Sequence, residues 1–224
     1  MGEPSFATVE YVVRTIAQTV VDNEKYFGDL DAVVGDGDFG YSMARGFEIV
    51  LASWDDFDRT DIGTFLKKVA LTITGRIGGT SGPIWGTAFI RAGTAAGDRT
   101  EITAADGIAM LRAAIDGIKA RGQSDLGDKT LLDALVPAVD RLEAELGNGA
   151  DPQAALDAAA AIAREHAEAT RDMLAKRGRA AYTGERSIGT LDAGAVAVAV
   201  MAERLAAGWP DRASRPTTAP EETS

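Results

Sequence analysis

The sequence predicts an all-α protein: a single domain over residues 5–207, built as a bundle of eight antiparallel amphipathic helices. Three observations predict it. Apolar residues recur at three- and four-residue intervals along almost the whole chain, and the alternation of a half-buried strand is nearly absent. Most of the periodic stretches open on a Thr, Asp or Pro suited to a helix start. The connections are mostly short, which favours antiparallel neighbours. At 224 residues the chain is long enough to bury one substantial core.

The elements follow in order. Thr8 caps a first helix with Val9, Val12, Val13, Ile16 and Val20 on one face. A second begins near Gly40 and carries Met43, Phe47 and Val50. Thr60 or Asp61 opens a third, with Ile62, Phe65, Leu66, Val69 and Ile73. A fourth follows Ser81-Gly82-Pro83, where proline suits a first turn. A fifth carries Ile108, Leu111, Ile115 and Ile118. Asp128 caps a sixth, with Leu131, Leu132, Leu135, Val139 and Leu142. Asp151-Pro152 opens a long, alanine-rich seventh. Asp192 caps an eighth, with Val196, Val200 and Leu205. The tail over 208–224, "GWPDRASRPTTAPEETS", is rich in Pro, Ser and Thr and is expected to be disordered.

Composition narrows the chemistry. The chain has no cysteine, which excludes disulfides, thiolate metal sites and cysteine nucleophiles. Its one histidine, His166, lies in a helical stretch and reads as a surface residue, so histidine-rich metal sites and serine–histidine triads are not expected. The formal net charge is −11, which argues against nucleic acid as a partner. A small phosphate carried with divalent cations remains compatible, because the metal reverses the local sign. No apolar run is long enough to cross a bilayer, so no membrane partner is expected. The start "MGEPSFATVE" has neither a basic flank nor an apolar signal core, and a cytoplasmic location is expected.

Four loops are glycine-rich: "GDGDFG", "GRIGGTSGPIWGT", "ARGQSDLGDKT" and "GRAAYTGERSIGTLDAG". They precede the second, fourth, sixth and eighth helices. Alternate loops of an up-and-down bundle fall at the same end, so all four gather at one rim. In the first, Asp36 and Asp38 flank Gly37, and Asp31 lies five residues before Asp36. Hard carboxylate oxygens suit Mg²⁺ or Ca²⁺, and the spacing is not that of an EF-hand. The helix beginning at Gly40 points free N–H groups at the same spot, which favours an anion. The bland alternative is an acidic turn with an ordinary cap. In the second loop Gly78 and Gly79 permit close backbone approach and Thr80 and Ser81 supply hydroxyls; the alternative is close helix packing at small residues. It is not a Walker A loop, since no Gly-Lys-Ser/Thr follows. In the third, Asp128 reads as a cap and Lys129 as a solvated side chain. In the fourth, Arg179 and Arg186 suit an anionic ligand, the alternative being a loop pinned by Glu185–Arg186 ion pairs.

The series "GDGDFGYSMARGF", "GGTSGPIWGTAFIRAG", "GDKTLLDALVPA" and "GRAAYTGERSIG…DAGA" resembles, in order and spacing, the L subunit of dihydroxyacetone kinase. The resemblance spans about residues 8–205. It implies a barrel of eight antiparallel helices with a nucleotide, ADP or ATP, at one end and two Mg²⁺ held by aspartates. It implies Asp31, Asp36 and Asp38 as metal ligands. Phe39, Gly40, Tyr41 and Ser42 would meet the phosphates or nucleoside. Gly79, Thr80 and Ser81 would lie at the phosphates. Gly122, Leu131 and Arg179 would line the nucleotide pocket, and Asp192, Ala193 and Gly194 would close it. The catalytic set would be the three aspartates with Arg179.

The resemblance also implies partners. A K-type subunit would hold dihydroxyacetone on a histidine, and an M-type subunit would recharge bound ADP from a phosphohistidine drawing on phosphoenolpyruvate. The alternatives are the nucleotide subunit of an ATP-dependent dihydroxyacetone or tetrulose kinase, and a nucleotide-sensing module that contacts a transcription regulator. A homodimer is a further partnership left open. Phe39 stands where the phosphoenolpyruvate-dependent branch usually has histidine, and Ala193 stands where the family usually has proline. Thr190-Leu191 replaces a more polar pair.

Overall fold

Phe6 draws the first helix inward earlier than a cap at Thr8 allows. In the computed structural model, whose described residues are 5–209, α1 spans Phe6–Asp22. Ser5 is its N-cap, and Thr8 is the third residue of a capping box, its hydroxyl accepting from the Ser5 N–H at 3.3 Å. The Phe6 ring meets Phe65 with centroids 5.5 Å apart, and that contact extends the helix by a turn.

The eight expected helices are present, and one more is inserted. At Asn23 the backbone leaves helical geometry (φ −111°, ψ 17°), and α2, Glu24–Asp31, follows at once. The sequence hides α2 because a single large side chain, Phe27, is buried in its two turns. Then come α3 Phe39–Ala52, α4 Ile62–Arg76, α5 Ser81–Ala96 and α6 Ala104–Gly122. They are followed by α7 Leu132–Gly147, α8 Pro152–Ala169 and α9 Ala193–Gly208. Tail residues 210–224 lie outside the described residues.

Caps decide most of the boundaries. Of the two candidates before α4, Asp61 is the cap, accepting from the Thr64 N–H at 2.6 Å. Asp151 caps α8 with Pro152 in its first position, and Asp192 caps α9 by accepting from the Ala195 N–H at 2.7 Å. Asp128 does not cap α7. Asp133 does that work from inside the first turn, accepting from the Gly127 N–H and, at 2.7 Å, from the Thr130 N–H.

The helices close into a ring. α3, α4, α5, α6, α7, α8 and α9 each pack on the next, while α9 returns to α1 and α1 packs on α3. The centre is filled by Phe27, Met43, Phe47, Ile62, Phe65 and Ile73, all fully buried. Each such side chain contributes roughly 1.5–3 kcal/mol relative to leaving it in water. A smaller cluster of Ile115, Ile118, Leu132, Val136 and Val139 seals α6 against α7. Close packing explains two glycines. A Cβ on Gly46 would overlap Ile77, and one on Gly40 would lie 2.5 Å from the Gly28 nitrogen of α2. Among the described residues no helix is long and apolar enough to cross a membrane.

Candidate functional site

The ring brings the four glycine-rich loops to one rim, as the alternation of loops requires. Arg179, in the connection before α9, forms ion pairs with Asp36 and, at 3.6 Å, with Asp38 in the loop before α3. A Cβ on Gly78, before α5, would lie 3.7 Å from the Ser42 hydroxyl of α3. Lys176 and Arg177 reach back to the loop before α7, donating to the carbonyls of Gly127 (2.8 Å) and Gln123 (2.6 Å) and pairing with Asp128.

The acidic cluster is built by turns. The Val34 and Gly35 N–H groups both donate to the Asp31 carbonyl, at 3.2 and 2.6 Å, so the chain doubles back as α2 ends. Gly37 continues the reversal with φ +76°, a conformation that suits glycine. The result places one carboxylate oxygen from each of Asp31, Asp36 and Asp38 within 4.8 Å of the others. Asp36 and Asp38 are exposed and Asp31 is half-buried. Three carboxylates this close repel one another, and the Arg179 guanidinium supplies counter-charge. The same oxygens are a hard donor set of the kind Mg²⁺ takes, with coordination positions left over for water and phosphate oxygens. The residues present therefore fit a divalent cation.

The other sequence-nominated residues divide by what they do locally. The Phe39 ring packs toward the core, with centroids 6.2 Å from Phe27, while its N–H donates to the Asp31 carboxylate at 3.4 Å. Gly40 is buried against α2, so close packing accounts for its lack of a side chain. Tyr41 is exposed beneath the Arg45 guanidinium, 5.2 Å from its ring centroid. The Ser42 N–H donates to the Asp38 carbonyl at 2.8 Å. Gly79 takes φ +63° with open space where a Cβ would stand. Thr80 precedes α5 with no capping bond from its side chain, and Ser81 opens the helix. Gly122 ends α6 beside Ile84, Leu131 precedes α7, and a Cβ on Gly194 would lie 3.2 Å from the Leu131 Cβ. Ala193 is the first residue of α9.

Lys129 departs from expectation. It is not solvated: only 2% of it is exposed, and its backbone takes φ +60°. Its ammonium donates to the carbonyls of Met173 (3.2 Å), Ser187 and Thr190 (2.8 Å), and to the Thr190 hydroxyl (3.3 Å). Burial lowers its pKa; the Asp192 charge raises it and Arg171 lowers it. The Asp192 carboxyl is pushed up to about 7, first by burial and then by Asp133 and Asp31, against the Ala195 N–H and Lys129. The signal for this buried group was present at Asp133, a carboxylate inside the apolar run "TLLDALVPA".

An all-α ring with glycine-rich loops and an aspartate cluster at one end defines the class, and comparison with known proteins gives the family. The DAK2 domain family matches residues 33–207, and the chain belongs to it. It is 41% identical over 182 residues to the ADP-binding subunit DhaL of the PEP-dependent dihydroxyacetone kinase of Escherichia coli, covering 81% of this chain and 87% of that one. It is 39% identical over 196 residues to the L-erythrulose 1-kinase of Mycolicibacterium smegmatis, covering 87% of this chain but 34% of that longer protein. Among solved structures, the C. freundii dihydroxyacetone kinase in complex with AMP-PNP and Mg²⁺ matches with a TM-score of 0.72 at 26% identity. That match covers 93% of this chain and 35% of the other.

Proposed function

We propose that the chain is the ADP- and Mg²⁺-binding L subunit of a phosphoenolpyruvate-dependent dihydroxyacetone kinase. It passes a phosphoryl group from a phosphohistidine-bearing M-type subunit, by way of its nucleotide, to a ketose on a K-type subunit. The observation that carries this is the convergence of the three carboxylates at one rim in a chain 41% identical to such a subunit. Asp31, Asp36 and Asp38 would hold two Mg²⁺, which would supply the positive charge that lets phosphate approach this acidic end. Arg179 stands beside the cluster, paired with Asp36 and Asp38, as the group that would meet phosphate oxygens. On this reading the hydroxyls of Thr80 and Ser81, with the open backbone at Gly79, would meet the phosphates from the start of α5. Gly122, Leu131 and the start of α9 at Asp192, Ala193 and Gly194 form the nucleoside side.

The rim also supports docking of a partner. Of nine large hydrophobic side chains exposed among the described residues, six belong to the connections before α3, α7 and α9 or to the first turn of α3: Val33, Tyr41, Leu126, Leu174, Tyr182 and Ile188. An apolar fringe around a polar centre suits a face that closes on another protein.

One observation favours a second reading, an ATP-dependent ketose or tetrulose kinase subunit. The Phe39 ring is packed on Phe27, so its side chain offers no polar contact where the phosphoenolpyruvate branch usually has histidine. The 39% identity to part of an erythrulose kinase is in keeping with it. Denaturing the purified chain and quantifying released nucleotide and Mg²⁺ separates the two. Stoichiometric ADP with metal is the expected result. A chain that releases none but binds MgATP reversibly supports the second reading, and one that binds neither nucleotide overturns both.

A further inference from the structure

We infer that Lys129 is a positioning residue: its buried ammonium ties the neck of the 173–190 segment and so holds Arg179 over the aspartate cluster. The inference rests on the nucleotide-site reading above, but its mechanical part can be tested alone.

The geometry is that of a loop closed at its base. Residues 171–175 and 187–190 lie side by side. The Gly189 N–H donates to the Arg171 carbonyl at 2.8 Å, and the Ala175 N–H donates to the Ser187 hydroxyl at 3.0 Å. That hydroxyl donates on to the Gly184 carbonyl at 2.7 Å. The Lys129 ammonium sits between the two sides of this neck. It takes one carbonyl from the outgoing side, Met173, and two from the returning side, Ser187 and Thr190. Three N–H donors thus bridge chain positions that enclose Arg179.

Beyond the neck the loop is pinned at its start, where the Lys176 N–H donates to the Asp128 carbonyl at 3.1 Å and the Lys176 and Arg177 side chains bond the loop before α7, and from Arg179 onward it is held by surface contacts. Lys176, Arg177, Arg179, Tyr182, Glu185 and Arg186 are all exposed. Arg179 is 56% exposed at its side chain, so its ion pairs with Asp36 and Asp38 contribute little to holding the segment. The guanidinium keeps its place through the neck and the Lys176 and Arg177 contacts next to it, and of these only the neck is buried. Lys129 itself is fixed from the other side. Asp133, 2% exposed, gathers the Gly127 and Thr130 N–H groups and shapes the turn in which Lys129 takes its left-handed backbone. A buried ammonium lacking acceptors is costly, and carbonyls stripped of their donor are costly too, so the arrangement is mutually enforcing.

The test uses the full chain with Lys129→Met, which keeps length and removes the donors. Trypsin cleavage after Lys176, Arg177, Arg179 or Arg186, without ligand, is expected to accelerate at least tenfold. The Kd for MgADP by calorimetry is expected to rise about tenfold, while in an Arg179→Ala background the same substitution adds nothing. Unchanged tryptic protection overturns the neck. Accelerated cleavage with fully additive losses of affinity overturns the action through Arg179. An Arg179→Ala chain that binds MgADP normally sinks the nucleotide-site reading instead, with the cleavage result still deciding the neck. Should Lys129→Met not fold, Ser187→Ala breaks the same neck without leaving a charge, and a several-fold acceleration of cleavage is then the supporting result and none the opposing one.

Discussion

Two charged clusters meet at the rim and are built in opposite ways. At the front, Asp31, Asp36 and Asp38 crowd together, Asp31 accepting one long bond from the Phe39 N–H and the other two sharing one exposed arginine. At the back, Lys129 and Asp133 are each 2% exposed, and their hydrogen bonds go to backbone groups and, from Lys129, to the Thr190 hydroxyl as well. An exposed cluster left with spare coordinating capacity is arranged for something that comes and goes. A buried cluster with its bonds made is arranged to stay. The difference predicts that front substitutions change binding without stability, and back substitutions change stability and carry binding with them.

The largest effect on binding is expected from the front. Asp36→Asn keeps shape but removes a charged metal ligand, and MgADP affinity should fall by about a hundredfold or more. Asp36 is exposed, so the thermal midpoint of the ligand-free protein should hardly move. Calorimetry and thermal unfolding on the same preparation check both halves. A variant that binds MgADP as before removes Asp36 from the metal site.

The back should give the largest effect on stability. Lys129→Met removes the donor shared by three carbonyls at the neck of the loop, leaving those of Met173 and Thr190 stranded while Ser187 keeps the Thr190 hydroxyl, and should cost about 3 kcal/mol in denaturant unfolding. Equal loss of stability in Asp36→Asn and Lys129→Met would erase the contrast between the clusters.

How far each cluster could be read beforehand follows from the same contrast. Asp31, Asp36 and Asp38 are close in the chain and threaded with glycine, so their gathering is a local property that the sequence displays. The ring of helices is legible for a similar reason, since 3.6-residue periodicity is local. Lys129 is illegible because its partners at Met173, Ser187 and Thr190 are between 44 and 61 residues away. Helix α2 is missed because Phe27 alone marks its buried face. Gly40 shows the limit in another way: the sequence offers it as a helix start beside the aspartates, and its lack of a side chain also serves the close approach of α2, which the sequence does not reveal.

A smaller effect sharpens the role of Arg179, which shares the carboxylates that a metal needs. Arg179→Ala should make Mn²⁺ without nucleotide bind several-fold tighter, because the competing guanidinium is gone. It should also weaken MgADP about tenfold, roughly 1.4 kcal/mol, because a phosphate contact is lost. Opposite signs for metal alone and metal with nucleotide are the signature. Weakening of both would make Arg179 a structural support of the cluster and not a competitor for it.

The smallest effect belongs to Asp192, which joins the two clusters at the start of α9. Its carboxyl titrates near 7 in the folded chain against 3.8 for the ordinary group, chiefly because burial disfavours the charge. Between those values the folded state holds more protons than the unfolded state. Stability contributed here is therefore greatest at low pH, falls as pH rises from about 4 to about 7, and is level above. The substitution Asp192→Asn keeps the cap, since an asparagine side chain accepts from the Ala195 N–H as aspartate does, and it leaves no charge to bury. Asp192→Asn should thus be more stable than the parent at pH 8, on the order of 1 kcal/mol after allowing for partial solvent access. The advantage should shrink toward pH 5. Chemical unfolding of both proteins at pH 5, 6, 7 and 8 reads the difference directly, and other carboxylates cancel between them. A constant offset across that range would mean that the Asp192 carboxyl is charged throughout and that burial at the rim does not govern it.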